Sequence, residues 1–192
     1  FVHAKQIAWE YLKEFGSDVI AKKNESELYV ELINGARIYL LGADNPDRLR
    51  GLYLDGVVLD EYADMKHRIF AEVIRPALAD RNGWAVFIGT PKGENAFYDI
   101  SEIAKNSDEW FFLVLKASQS GLLSEDEVED MKKVMSEDQA AQELECSFSA
   151  AIQGAVYAKW IKDAQIISGA YDPELPVHTA WDLGYDDSTA IW

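Results

Sequence analysis

Gly56-Val57-Val58-Leu59-Asp60-Glu61 decides how the rest of the chain is read. A short apolar run that ends directly in two carboxylates has the form of a parallel strand, buried on both faces, that meets solvent at its carboxyl end. Ligands of open α/β sheets bind in the crevice at that end. One acid placed there can help hold Mg²⁺ on nucleotide phosphates, and the next can polarise an attacking water as a general base. The same residues also suit an ordinary strand end whose acids favour the start of the following helix.

A second unit, Trp84-Ala85-Val86-Phe87-Ile88-Gly89-Thr90-Pro91, is again an apolar run stopped by small and kinked residues. Glu61 and Thr90 lie 29 positions apart. That is room for one crossover helix between parallel neighbours, and Tyr62 to Asp80 is the segment expected to supply it. Two adjacent strands would then deliver Asp60, Glu61 and Thr90 to one edge, where Thr90 could hydrogen-bond a γ-phosphate or the attacking water and report hydrolysis onward. Gly-Thr-Pro is also common punctuation at a strand end. The two units together are more specific than either alone.

On the N-terminal side, Ile7, Ala8, Tyr11, Leu12 and Phe15 recur at helical spacing, with Gly16 as the stop. Residues 27–32 and 36–41 are extended runs about Asn34-Gly35, a strong hairpin signal. Asp44-Asn45-Pro46-Asp47 is a turn with a helix start, and Arg48-Leu49-Arg50-Gly51 follows. Beyond Pro91, Asn95 to Ala104 reads as a helix and Trp110 to Leu115 as a further buried strand. Ser124 to Glu127 and Ser136 to Gln139 fit the capping box and predict two antiparallel helices, with Val128, Met131, Val134 and Met135 as an apolar stripe. The small, polar stretch 147–155 and the stiff Asp172-Pro173-Glu174-Leu175-Pro176 mark a boundary. The expected organisation is a domain over 1–150, a linker over 151–176 and the opening of another domain over 177–192.

The length of 192 residues, 48% of them hydrophobic, allows one domain and part of a second. A formal net charge of −16 argues against broad, non-specific nucleic-acid binding, so any DNA contact must be local or lie elsewhere. Residues 124–145 alone carry nine acids and read as a solvated helical face. No apolar run approaches the roughly 18 residues of a membrane span, and no signal-peptide pattern opens the chain. A single Cys146 without a metal-binding neighbour suits a reduced, intracellular protein, and His3, His67 and His178 are too scattered for a zinc site.

The last segment alternates from Val177 to Trp181 into Asp182-Leu183-Gly184-Tyr185-Asp186-Asp187, with another extended run from Ser188. This predicts a hairpin with acids at its turn. Asp182 and Asp187 could share Mg²⁺ or Mn²⁺, hard cations that prefer oxygen, as in two-metal phosphodiester cleavage. An acidic turn without chemistry, or a glycine-containing hairpin that binds phosphate as in sugar-kinase and actin-like ATPases, fits the spacing equally well.

The order of these parts resembles the large terminase subunit of tailed bacteriophages, the motor that packages DNA into a procapsid and cuts the concatemer. The matching pieces run from Leu49-Arg50-Gly51 through Val57 to Ala63, Ile88 to Gly93, Phe97-Tyr98 and Gln142 to Cys146, and end on Trp181-Asp182-Leu183-Gly184 ahead of Asp187-Ser188-Thr189. The resemblance implies an α/β fold of the P-loop NTPase type with an additional strand, a parallel sheet with helices on both faces. Here the fold would lack its first βα unit and lead into the start of an RNase H-like nuclease domain. It also implies ATP and Mg²⁺ as cofactors, with Asp60 as the metal-site acid, Glu61 as the catalytic base and Thr90 in the motif that couples hydrolysis to movement. Arg50, with Arg48 as the alternative, would be the arginine offered to a neighbouring subunit's γ-phosphate, and Asp182, with Asp187 or Asp186, the nuclease metal site binding Mg²⁺ or Mn²⁺. The implied partners are double-stranded DNA, a portal protein, a small terminase subunit and further copies in a homo-oligomeric ring. The place is the host cytoplasm, docked on the procapsid, with no membrane and no secretion.

The chain departs from that family in two respects. No Gly-x-x-x-x-Gly-Lys-Ser/Thr occurs in it, so the loop that cradles phosphates is missing. The expectation is an internal fragment that begins after this loop and does not hydrolyse ATP by itself. The nuclease likewise stops after its first acid cluster. Two rivals remain: a superfamily 2 helicase or translocase ATPase, which shares the Asp-Glu strand end and small-Thr turn, and a non-catalytic assembly fragment.

Overall fold

The computed structural model describes residues 2–149, 181–182 and 190–191. The chain divides into two compact units, Phe1–Ala155 and Val156–Trp192.

In the first unit, helix α1 (Val2–Phe15) ends where the Gly16 N–H bonds the Leu12 carbonyl at 3.0 Å. A Cβ on Gly16 would stand 2.7 Å from that oxygen, so this stop requires glycine. Strands β1 (Ile20–Asn24), β2 (Tyr29–Leu32) and β3 (Arg37–Tyr39) form an antiparallel sheet in sequence order. The β2–β3 hairpin turns as Asn34-Gly35 predicts, with Gly35 at φ 84°. β1 lies outside the predicted runs; Ala-Lys-Lys-Asn is poor in strand formers, and pairing with β2 makes it extended. Trp9 and Val30 are buried here, and the Trp9 indole donates to the Glu25 carboxylate.

Strands β4 (Gly56–Leu59) and β5 (Trp84–Phe87) pair in parallel, in the register Gly56↔Trp84 to Leu59↔Phe87. The crossover is helical as expected, but it is not one continuous helix. It comprises a 3₁₀ turn (Tyr62–Asp64), a π turn (Phe70–Ile74) and helix α2 (Arg75–Ala79). The cause is Pro76, which has no N–H and crowds the carbonyl of Glu72, a conflict that a widened turn relieves. Leu59, Tyr62, Ile69, Val73, Ile74 and Leu78 form the core under the sheet, joined by Leu49 from a 3₁₀ turn at Pro46–Leu49. Tyr62 and Phe70 meet the Phe87 ring edge-on, with centroids 4.8 and 4.7 Å away.

Two expectations are corrected. Among the described residues the sheet is covered on one face: Val58 is 55% and Trp84 58% exposed, while Leu59 is buried. Alternation along β4 and β5 sends Leu59 and Phe87 to the crossover helix and Val58, Trp84 and Val86 to the opposite side. Trp110 to Leu115 forms no ladder, with Phe111 87% exposed. An apolar run becomes a strand only where another strand's edge meets it.

Helices α3 (Ala96–Lys105), α4 (Ala117–Ser120), α5 (Glu125–Val134) and α6 (Glu137–Glu143) complete this unit. Ser136 and Gln139 close a full capping box, whereas at Ser124 the side chain accepts from the Glu127 N–H. Val128 is buried, but Val134 of the expected stripe is exposed. Phe148 returns to meet Phe97 and Tyr98 on α3.

In the second unit, β6 (Trp181–Asp182) pairs antiparallel with β7 (Ala190–Ile191); the turn of the predicted hairpin lies outside the described residues. The expected linker over 151–176, and Asp186 and Asp187, lie outside the described residues.

Candidate functional site

The parallel register carries the argument about the site. Past the last paired residues, the Ile88 N–H donates to the Leu59 carbonyl at 3.0 Å and the Tyr62 N–H to the Ile88 carbonyl at 3.1 Å. Asp60 and Glu61 therefore emerge beside Gly89 and Thr90 at the carboxyl edge of the sheet, the juxtaposition the two sequence units predict. Both carboxylates are solvent-exposed, and Thr90 is half-buried.

The backbone at Glu61 is unusual. Its φ of 53° and ψ of 45° are left-handed, a conformation that a side chain disfavours. Asp60 Oδ1 accepts from the Glu61 N–H at 3.2 Å, and the neighbouring strand holds Tyr62. Gly89 lies so close that a Cβ there would stand 3.3 Å from the Tyr62 nitrogen and 3.4 Å from the Glu61 Cα. Strain of this kind persists only where its surroundings over-determine it, and it clusters at functional sites.

A second layer of contacts fastens the two strand ends together. Lys92 Nζ donates to both oxygens of Asp64, at 2.7 and 2.6 Å. The Asn95 carboxamide nitrogen donates to the carbonyls of Ala63 and Lys92, at 3.1 and 3.2 Å, while its oxygen caps α3 by accepting from Phe97 and Tyr98. The hydrogen bond to Asp64 raises the Lys92 pKa above the ordinary lysine value, opposed by burial, with the charges of Asp64, Glu61 and Glu143 adding to the rise. Burial raises the Tyr62 phenol and disfavours its ionisation. Lys92, Asp64 and Asn95 were not among the residues that spacing points to. The available signal was an Asn-capped helix starting directly after Gly-Thr-Pro-Lys-Gly.

The other sequence-predicted residues stand apart from this edge. Arg50 is exposed and pairs with Asp47, its Nε 3.0 Å from Oδ1. Arg48 lies in the Pro46–Leu49 turn, and its side chain is outside the described set. Asp182 sits opposite Ala190 in β6, and Asp187 is not described. Among the described residues no group of three or more acids, histidines or cysteines could hold a metal ion unaided. The donor set at the edge, one or two exposed carboxylates, instead suits Mg²⁺ carried on nucleotide phosphates.

Comparison with known proteins places these features in context. The family model described as "Terminase large subunit, T4likevirus-type, N-terminal" matches residues 4–163. A terminase large subunit of Thermus virus P23-45 is 53% identical over 57 residues, covering 30% of this chain and 12% of that protein. The terminase large subunit of Escherichia phage T5 is 25% identical over 94% of this chain and 43% of its own length. The chain thus spans less than half of the curated relatives it matches. An arginine-to-alanine mutant of the Thermus phage P74-26 large terminase ATPase domain shares the fold, with a TM-score of 0.61, 21% identity, and coverage of 77% of this chain and 74% of that one. The unmutated domain matches with a TM-score of 0.58.

Proposed function

The chain belongs to the terminase large-subunit family, and from that premise we propose that its parallel edge is half of an ATP-hydrolysing site in a DNA-packaging motor. In the full-length protein, ATP hydrolysis drives double-stranded DNA into a procapsid, and a metal-dependent nuclease cuts the concatemer. The partners are the portal protein, the small terminase subunit and further copies in a ring. The observation that carries this reading is the pairing of β4 with β5, which sets Asp60, Glu61 and Thr90 side by side with Glu61 held left-handed.

Each residue then has a role. Asp60 would help hold Mg²⁺, and the ion would supply neutralisation of the phosphate charge that develops on hydrolysis. Glu61 accepts hydrogen-bond donation from the attacking water and orients it in line. Thr90, on the adjacent segment, senses the γ-phosphate and passes its loss to the loop that leads into α3. Arg50, or Arg48, serves a neighbouring subunit; an arginine supplied in trans accelerates phosphoryl transfer by about 10³–10⁵. The exposure of Arg50 and its one partner among the described residues, Asp47, suit a side chain free to change partners. Asp182, with Asp187 or Asp186, belongs to the RNase H-like nuclease and would hold Mg²⁺ or Mn²⁺.

The test is Glu61→Gln in the full-length protein. Turnover should vanish while ATP still binds. Normal turnover would remove Glu61 from the mechanism.

A further inference from the structure

Four contacts converge on the short segment that carries Glu61: the Tyr62 N–H on Ile88, the close approach of Gly89, and the reach of Lys92 and Asn95 across to the Tyr62–Asp64 turn. Asn95 differs from the rest. Its carboxamide uses all of its ordinary capacity, donating to Ala63 and Lys92 and accepting from Phe97 and Tyr98. One half-buried side chain thus ties together the turn after Glu61, the loop after Thr90 and the first turn of α3. Helix capping alone would use only the oxygen, as Ser, Thr or Asp can. The two donated bonds are spent on carbonyls of the two strand-end segments, Ala63 from one and Lys92 from the other.

We propose that Asn95 is a positioning residue for hydrolysis: its carboxamide N–H groups hold the Glu61 turn and the Thr90 loop in one register, so that Glu61 is aimed at the attacking water. This rests on reading Glu61 as the group that orients that water. Because the same side chain caps α3, a shift of the Thr90 loop on phosphate release moves the helix end with it.

The cap and the latch can be separated chemically. Asn95→Asp keeps the acceptor for the Phe97 and Tyr98 N–H groups but has no donor for the two carbonyls. Asn95→Ser likewise keeps a cap, is too short to bridge both carbonyls, and adds no charge. In the full-length protein both variants should stay folded, with a modest fall in melting temperature for the two hydrogen bonds removed, and should keep the parent KM for ATP. Their kcat should fall roughly ten- to hundredfold, the scale of a misplaced catalytic group. Wild-type kcat in either variant, or a raised KM with kcat intact, overturns the proposal. Glu61→Gln measured alongside separates the two readings: if it is inactive while Asn95→Asp turns over normally, only the role of Asn95 falls; if it turns over normally, both fall.

Discussion

Replacing Glu61 by glycine and, in parallel, by alanine isolates its left-handed backbone from its carboxylate. Glu61 is exposed, and its side chain caps nothing in the turn that follows. Truncation to alanine should therefore change stability by no more than about 0.5 kcal/mol. The backbone matters more, because φ 53° and ψ 45° cost a residue with a Cβ about 1–2 kcal/mol that glycine escapes. Glycine in turn loses roughly 0.5–1 kcal/mol through the greater freedom of its unfolded chain. The net expectation is that Glu61→Gly is more stable than Glu61→Ala by about 0.5–1 kcal/mol. Urea denaturation of the two variants, at equal m of about 2 kcal/mol/M, reads this as a midpoint about 0.25–0.5 M higher for glycine. An alanine variant at least as stable as the glycine one would refute the claim that the fold holds this residue under strain. In the full-length protein both variants should be inactive, so that the more stable one gains nothing in function. Stability would then be given up at Glu61 for the placement of a carboxylate.

Two further expectations follow from the same edge and its foundations. Gly83→Ala should destabilise the protein by about 1–3 kcal/mol, because the new Cβ would stand 2.7 Å from the Leu54 carbonyl and from Leu78 Cδ2; a thermal melt matching the parent would contradict this packing. The Lys92–Asp64 pair should show its pH dependence only in alkali. The lysine's folded pKa is raised, chiefly by its hydrogen bond to Asp64, so the contribution is complete below the ordinary lysine range and lost as pH rises through the raised value. The pair is more than a third exposed on both sides, so the double-mutant coupling of Lys92→Met with Asp64→Asn should stay below about 1 kcal/mol. An NMR titration in which the Lys92 ammonium deprotonates earlier than an ordinary lysine would reverse the sign of this argument.

Local signals decided much of this chain. Asn34-Gly35 fixed a hairpin, Ser136 and Gln139 fixed a helix start, and the two apolar runs closing on Asp60-Glu61 and Gly89-Thr90 fixed a βαβ crossover with its edge. These are legible because each depends on a few neighbouring residues whose backbone preferences and polar capacity are set by their own chemistry. The ordered motifs along the chain likewise pointed to the family that the comparisons show. Other features required partners distant in sequence. Trp110 to Leu115 has the composition of a strand yet forms no ladder, since pairing is a property of two segments. Val58 and Trp84 looked as buried as Leu59, and only the packing of the crossover helix on one side distinguished them. The left-handed turn at Glu61, the approach of Gly89 and the reach of Asn95 to the Ala63 carbonyl belong wholly to tertiary structure. Sequence could nominate the acids, but their aim is set by backbone atoms of a strand some thirty residues away, and no local preference records that distance.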